Sequence, residues 1–220
     1  MLNHNLRNLN GAFSFAKNGK MVAVTSIDYK NVDKDGYKLN TGFLGTAILN
    51  QTLTEVGLNN EAYTLLLQRN DPSWLYSIDQ GATTIWERWN SYTVANGYGP
   101  VSMNSFNHYA YGIVAEWMYR YMAGIVPDEA NAGFRHFILA PNPDRRPTLL
   151  YSQKRITSVD AQHWSPVGAI KASWQCDGGD EMTYVVTVPA NTTCSGLGRT
   201  GLDRYAALAK VGSREKIECV

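Results

Sequence analysis

The apolar residues of the chain change their spacing near residue 125. Between residues 41 and 123 they recur at three- and four-residue intervals, which is the spacing of amphipathic helices. From residue 134 onward, short runs alternate or are β-branched, which is typical of strands. The change predicts an α+β chain in two parts, a helical part at residues 1–124 and an antiparallel β-sandwich at residues 125–220.

Three short helices are predicted in the first part. Residues 41–56 carry apolar side chains at helical spacing, and Gly57 follows where a helix commonly ends. Asn59 or Asn60 can cap a second helix, and Ser73 can cap a third. Tight turns between consecutive helices of this length indicate an antiparallel helical hairpin.

A longer helix is predicted over residues 104–123, with Gly124 at its end. Residues 90–115 contain no Asp, Glu, Lys or Arg, so the preceding turn region and the first half of this helix carry no formal charge. A helix that is uncharged on all sides is typically surrounded by protein. We therefore expect an inner helix of a larger helical assembly.

The second part is predicted to consist of short strands with turns between them. Alternating or β-branched runs occupy residues 134–139, 149–156, 158–164, 170–175 and 182–188. Gly178 and Gly179 predict a turn between the last two runs. Strands at this spacing favour an antiparallel sandwich.

Composition argues against several classes of partner. The 20 basic and 19 acidic residues give a net charge of +1 without a basic stripe, which argues against nucleic acid and against an anionic membrane surface. The first ten residues are polar and lack the apolar stretch of a secretory signal, so no signal peptide is predicted in them and the compartment stays open. Three dispersed cysteines and four dispersed histidines predict no metal site, and the absence of a phosphate-binding glycine motif predicts no nucleotide cofactor.

One carboxylate stands out because it lies between two indoles. Glu87 follows Trp86 and precedes Trp89 by two positions. Aromatic neighbours exclude water from a carboxylate, which suits a general base, and aromatic faces suit the apolar faces of a sugar ring. The alternative is that Glu87 forms an ion pair with an arginine such as Arg88 at a partly buried helix end. His108 taken by itself is typical of a hydrogen-bonded core histidine.

Several long motifs together resemble the bacterial α-L-rhamnosidases of glycoside hydrolase family 78. In chain order they are TGFLGT (41–46), PSW (72–74), GATTIWERW (81–89), MNSFNHYA (103–110), EWMYRY (116–121) and PANTT (189–193). The resemblance covers about residues 38–195. It implies a partial (α/α)6 barrel followed by a C-terminal β-sandwich, and inverting hydrolysis of terminal α-L-rhamnosides.

The resemblance also implies roles for individual residues. The glutamate of its WERW motif falls on Glu87, which would activate the attacking water as general base. The histidine of its SFNHYA motif falls on His108, which would contact bound rhamnose. Trp86 and Trp89 are expected to line the sugar site.

The second carboxylic acid of an inverting glycosidase has no matching motif in residues 1–79. We therefore expect the C-terminal part of such an enzyme, inactive alone, with the upstream half of the barrel as its partner and rhamnose-containing glycosides as its substrates. The alternatives are a non-catalytic rhamnose-binding or scaffold protein that keeps this fold, and an (α/α)-barrel enzyme that acts on another sugar.

Overall fold

A computed structural model describes residues 38–39, 41–176 and 182–197, and it assigns four further strands outside these ranges. The chain forms two compact units, residues 1–113 and 114–220. Helices supply most of the regular structure of the first unit, and strands supply that of the second. The predicted α+β class is therefore confirmed. The predicted turn at Gly178 and Gly179 lies outside the described residues.

In chain order, the first unit contains a pair of short strands, three helices and a second pair of short strands. Its elements are β1 (Phe13–Lys17), β2 (Lys20–Val24), α1 (Phe43–Glu55), α2 (Asn59–Leu66), α3 (Trp74–Asp79), β3 (Tyr92–Thr93) and β4 (Gly97–Tyr98). The buried side-chain amide of Asn50 donates to the carbonyl oxygen of Ala62 at 3.2 Å, which ties α1 to α2. Leu49 and Leu53 of α1 and Leu65 of α2 are buried at the same time, so the two helices share a core.

The local sequence correctly predicts a helix end for two of these three helices. Gly57, two residues after the end of α1, has φ +89°, a conformation that glycine adopts without strain. The Ser73 side chain accepts a hydrogen bond from the Tyr76 N–H at 3.1 Å and caps α3 as predicted. The predicted cap of α2 is wrong, because Asn59 is already helical and Leu58 before it supplies no side-chain hydrogen bond.

Helical backbone begins at Ala110, so the predicted helix over residues 104–123 is wrong in its first turn and a half. The observed helical segment consists of a 3₁₀ turn (Ala110–Ile113), a short α-helix α4 (Val114–Trp117) and a π-helical turn (Met118–Met122). Residues 104–109 are not helical, because backbone groups among them form hydrogen bonds with residues 85–87 instead of with the next turn. These bonds place the two segments side by side.

Two four-stranded sheets make up most of the second unit. The strands are β5 (Ile125–Pro127), β6 (His136–Leu139), β7 (Ser158–Ser165), β8 (Gly168–Gln175), β9 (Met182–Thr187), β10 (Thr193–Leu197), β11 (Arg204–Tyr205) and β12 (Arg214–Cys219). One sheet has the order β11-β10-β6-β5 and the other the order β12-β9-β8-β7. The pairs are antiparallel except for β6 with β10, which run parallel with His136 opposite Thr193.

Alternate residues of β8 and β9 are buried, as their sequence pattern predicts. Trp174 is 1% exposed, and its indole N–H donates to the carbonyl oxygen of Met122 at 2.7 Å. The Tyr184 hydroxyl donates to the carbonyl oxygen of Ala123 at 3.0 Å, and burial raises the pKa of this hydroxyl. These two bonds fix the chain where the helical segment leads into β5.

Residues 149–156, predicted to form a strand, are irregular and are held by side chains. Asp144 is 0% exposed and Arg146 is 1% exposed. The two Asp144 oxygens accept from Nε and Nη2 of Arg146, each at 2.8 Å, and one also accepts from the Ile156 N–H at 3.1 Å. Arg146 Nη1 donates to the side-chain oxygen of Gln153. We call residues 144–156 the Asp144 brace, because these bonds replace the missing strand ladder.

The backbone at Gly124 passes very close to the end of β6. The Ala140 N–H donates to the carbonyl oxygen of Gly124 at 2.9 Å. Gly124 has φ +78°, and a Cβ at this position would lie 2.3 Å from the backbone nitrogen of Pro141. Only glycine fits this backbone conformation at this distance.

Candidate functional site

Two segments that are distant in sequence lie side by side in the first unit. The Glu87 N–H donates to the carbonyl oxygen of Ser105 at 2.8 Å, and the His108 N–H donates to the carbonyl oxygen of Ile85 at 2.8 Å. These bonds bring the segments that carry Glu87 and His108 together. We call this paired region, residues 84–88 and 102–108, the Glu87 pair.

The carboxylate of Glu87 is held by a backbone donor from the opposite segment. Its Oε2 accepts a hydrogen bond from the Ser105 N–H at 2.7 Å. Hydrogen bonds to a charged acceptor are short and comparatively strong, so this bond restricts the orientation of the carboxylate. The second oxygen, Oε1, lies outside this bond, and the side chain is partly exposed.

Arg88 uses its guanidinium on the loop that leads to Ser105. Nε donates to the carbonyl oxygen of Met103 at 2.7 Å, and Nη2 donates to that of Ser102 at 3.4 Å. The segment around Glu87 is not helical. The geometry therefore differs from the alternative in which Glu87 and Arg88 form an ion pair at a helix end.

The ring of His108 is fixed on one face and at one nitrogen. It stacks on Phe43 with ring centroids 4.7 Å apart and planes at 16°. Nδ1 accepts a hydrogen bond from the Ala110 N–H at 3.3 Å. An accepting Nδ1 carries no proton, so the neutral ring holds its proton on Nε2, where it can serve as a donor. The residue is partly exposed, which a fully packed core histidine would not be.

The two indoles beside Glu87 make aromatic contacts of their own. Trp86 is 7% exposed and meets Phe106 edge to face, with centroids 5.3 Å apart. Trp89 stacks on Tyr111 with centroids 3.8 Å apart, and its N–H donates to the carbonyl oxygen of Thr41 at 3.3 Å. Both rings stabilise the unit, and contact between them and a sugar stays a prediction.

Sequence reasoning missed two groups of this region. The Ser105 N–H is a backbone donor, which every residue except proline carries, so no side-chain pattern reveals it. The sequence offers Arg88 as an ion-pair partner of Glu87, but its guanidinium contacts the loop carbonyls.

A cavity of about 280 Å³ adjoins Arg88 and is lined otherwise by residues of the 90–100 turn region. Glu87 and His108 are not among its lining residues.

A serine, a histidine and an aspartate of the second unit lie close together, although their spacing in the sequence does not reveal this. His136 Nε2 lies 3.3 Å from Ser195 Oγ and 3.9 Å from Asp128 Oδ2, and Nδ1 lies 2.8 Å from Thr193 Oγ1. A catalytic triad needs the nucleophile and the carboxylate on different ring nitrogens. Here Ser195 and Asp128 face the same nitrogen, so the cluster cross-links strands and does not form such a triad.

No group of three or more His, Cys, Asp or Glu side chains is placed to hold a metal ion among the described residues. Within the same residues, no helix has the length and the apolar content needed to cross a lipid bilayer.

Comparison with known protein families accounts for both parts of the chain. Residues 14–122 match the bacterial α-L-rhamnosidase six-hairpin glycosidase domain, and residues 124–195 match the bacterial α-L-rhamnosidase C-terminal domain. The chain belongs to the bacterial α-L-rhamnosidase family.

Individual α-L-rhamnosidases resemble the chain in sequence and in structure. The α-L-rhamnosidase of Formosa agariphila is 45% identical over 155 residues, which are 70% of this chain and 15% of that protein. The crystal structure of the Streptomyces avermitilis α-L-rhamnosidase complexed with L-rhamnose matches with a TM-score of 0.66 and 41% identity, over 76% of this chain and 15% of that one. The native enzyme of Aspergillus terreus matches with a TM-score of 0.72 and 31% identity, over 87% of this chain and 21% of that one.

The chain thus spans about 15% of the length of the curated α-L-rhamnosidases that it matches. The two compact units divide between Ile113 and Val114, whereas the two family matches divide near residue 123. The domain boundary near residue 125 stays a prediction.

Proposed function

We propose that the chain supplies the general-base side of the site in an inverting glycosidase that releases terminal α-L-rhamnose from rhamnosides. The observation that carries the proposal is the Glu87 pair, in which Ser105 holds one oxygen of the Glu87 carboxylate and His108 lies on the neighbouring segment. The names of the relatives, one of them bound to L-rhamnose, support the choice of sugar.

In the proposed reaction Glu87 activates one water molecule. The water oxygen bonds to the anomeric carbon of rhamnose while the carboxylate takes its proton, and the bond from the anomeric carbon to the glycosidic oxygen breaks. The departing oxygen needs a proton from a second carboxylic acid, which in inverting enzymes lies about 6.5–9.5 Å from the base. We propose that the upstream half of the barrel supplies this acid, so that the 220 residues alone are inactive.

The remaining site residues would orient the sugar. The proton on Nε2 of His108 can be donated to a rhamnose hydroxyl, and Phe43 and the Ala110 N–H hold the ring in position for this. Trp86 and Trp89 would border the apolar face of the deoxysugar. Exposed apolar side chains at the start of α1, among them Phe43 and Leu44, fit a surface covered by the upstream half.

A chimeric enzyme tests the proposal. Residues 38–195 would replace the matching segment of the Streptomyces avermitilis α-L-rhamnosidase, and turnover of an aryl α-L-rhamnoside would be measured. We expect turnover by the chimera, none by the 220-residue chain alone, and a loss of about 10³-fold or more for Glu87→Gln. Glu61→Gln, in the first turn of α2, is the matched control and should change turnover less than about twofold.

Two results would overturn the proposal: robust hydrolysis by the isolated chain, or an undiminished rate in the Glu87→Gln chimera. Calorimetry with L-rhamnose separates the non-catalytic alternative. Rhamnose binding that survives Glu87→Gln, together with an inactive chimera, would favour a binding or scaffold protein.

A further inference from the structure

We propose that Arg88 is a positioning residue for Glu87 and acts through the turn formed by residues 102–105. This inference rests on the proposed function, because it concerns the orientation of the proposed base. The guanidinium donates to the carbonyl oxygens of Ser102 and Met103, and two residues later the Ser105 N–H holds Glu87 Oε2 at 2.7 Å. Arg88 therefore fixes the turn that carries the Ser105 N–H. This N–H binds the side chain of Glu87, the residue directly before Arg88 in the chain.

The contact between Arg88 and the turn matters because of the backbone conformation of Met103. Met103 has φ 51°, in the left-handed region that residues with a side chain rarely adopt. Its side chain is mostly exposed, so packing does little to stabilise that conformation. The bond from Arg88 Nε to the Met103 carbonyl oxygen, at 2.7 Å, is a short polar contact that helps to hold this residue in place.

Arg88 is itself held on a buried anchor. The Arg88 N–H donates to the Ser91 hydroxyl at 3.2 Å, and that hydroxyl donates back to the Arg88 carbonyl oxygen at 3.0 Å. The Asn104 side-chain amide donates to the Ser91 carbonyl oxygen at 3.2 Å, so the anchor reaches the turn as well. Ser91 is fully buried. An arginine whose backbone is held in this way can keep its guanidinium in one place and position a turn, whereas an arginine on a mobile segment could not.

The consequence for catalysis concerns geometry. With Oε2 held by Ser105, Oε1 has a defined direction and can meet a water molecule in one place. If the turn relaxes, the Ser105 N–H moves and the carboxylate samples several rotamers. A misplacement of about 1 Å in an active site can reduce turnover about 10²-fold.

The first test uses the 220-residue chain and needs no activity. Nuclear magnetic resonance would follow the amide proton of Ser105, whose shift responds to the ionisation of the carboxylate that it binds. We expect a pH-dependent shift in the wild type that disappears in Glu87→Gln. In Arg88→Met the shift should shrink by at least half, and the amide should exchange with solvent about tenfold faster. Arg69→Met, which removes an exposed arginine paired with Asp79, is the control and should leave Ser105 unchanged.

Arg88→Lys keeps the charge and one donor group, so it should give an intermediate result, and it replaces Arg88→Met if a thermal melt shows that variant to be unfolded. In the chimera, Arg88→Met should lower kcat about 10²-fold with KM changed less than threefold, and Arg88→Lys should restore part of the loss. A Ser105 amide in Arg88→Met and Arg88→Lys that behaves as in the wild type overturns the inference. An active Glu87→Gln chimera would instead overturn the proposed function, and the amide measurement would still decide whether Arg88 positions the turn.

Discussion

Asp144 and Glu87 both lie in irregular, polar stretches of the chain, but the surrounding structure uses their carboxylates differently. Asp144 is fully buried and accepts from the N–H, Nε and Nη2 of Arg146 and from the N–H of Ile156. Glu87 is partly exposed and accepts from the Ser105 N–H through one oxygen. A carboxylate has about four lone-pair sites, so the contacts of Asp144 use its full capacity while those of Glu87 leave one oxygen outside.

The difference shows how a polar loop becomes a brace or a site. In the Asp144 brace, Asp144 and Arg146 are paired with each other and removed from water, so this pair can hold the chain but cannot reach another molecule. In the Glu87 pair, the Ser105 N–H holds one oxygen of the carboxylate, and Arg88 binds the turn that carries this donor.

Asp144→Asn should lower the free energy of unfolding by about 3–5 kcal/mol, because it leaves the buried guanidinium of Arg146 without its counter-charge. Urea denaturation measures the change. Asp160→Asn, on the exposed face of β7, is the matched control and should change stability by less than about 0.5 kcal/mol. If the two variants behave alike, Asp144 is not a brace and the contrast with Glu87 fails.

Trp174→Phe should cost about 1–3 kcal/mol, because it leaves the buried carbonyl oxygen of Met122 without its indole donor. Trp164→Phe changes a side chain that is 75% exposed and should change stability by less than about 0.5 kcal/mol. The same denaturation assay compares them. A larger loss in Trp164→Phe would show that the exposed tryptophan, and not the buried one, stabilises the second unit.

Glu87→Gln should change the free energy of unfolding by less than about 1 kcal/mol, since the amide oxygen of glutamine can still accept the Ser105 N–H. This small effect on stability sharpens the contrast with Asp144, because the same substitution is expected to abolish turnover in the chimera. A loss comparable to that of Asp144→Asn would identify Glu87 as a structural residue.

The smallest effect is expected at Asp128. Its pKa lies below the ordinary value of 3.8, because the Asn131 side chain and the Ala130 N–H bind the charged form, with a further contribution from His136. A lowered pKa in the folded state stabilises the protein above pH 3.8, and this contribution is lost as the pH falls through the lowered value. The difference in Tm between wild type and Asp128→Asn should therefore shrink between about pH 6 and pH 3. A difference that is constant with pH would contradict this.

Elements stabilised by contacts along their own chain could be predicted from sequence. The 3.6-residue spacing of residues 41–56 indicated α1, and the serine before Trp74 indicated the cap of α3. Period-two alternation likewise indicated β8 and β9. In each case the interacting groups lie within a few residues of one another or repeat regularly, so a local pattern carries the information.

The failures occur where distant groups take over the backbone. Residues 104–109 have a helical pattern, but Ser105 and His108 bind residues about twenty positions earlier. Residues 149–156 have a strand pattern, but side chains of the Asp144 brace bind them. In the candidate site, motifs pointed to Glu87 and His108, yet neither the Ser105 donor nor the contacts of Arg88 could be inferred from residue type. The roles of Glu87, His108, Trp86 and Trp89 stay predictions.

The close approach at Gly124 limits how parts of related enzymes can be recombined. A methyl group at this position would push Pro141 aside and separate β5 from β6 at their first paired residues, Ile125 and Leu139. A donor fragment that starts after Gly124 would therefore depend on the recipient to provide a glycine there. Fragment exchange is safest when the junction lies upstream of this glycine. The glycine and the sheet against which it fits then come from the same protein.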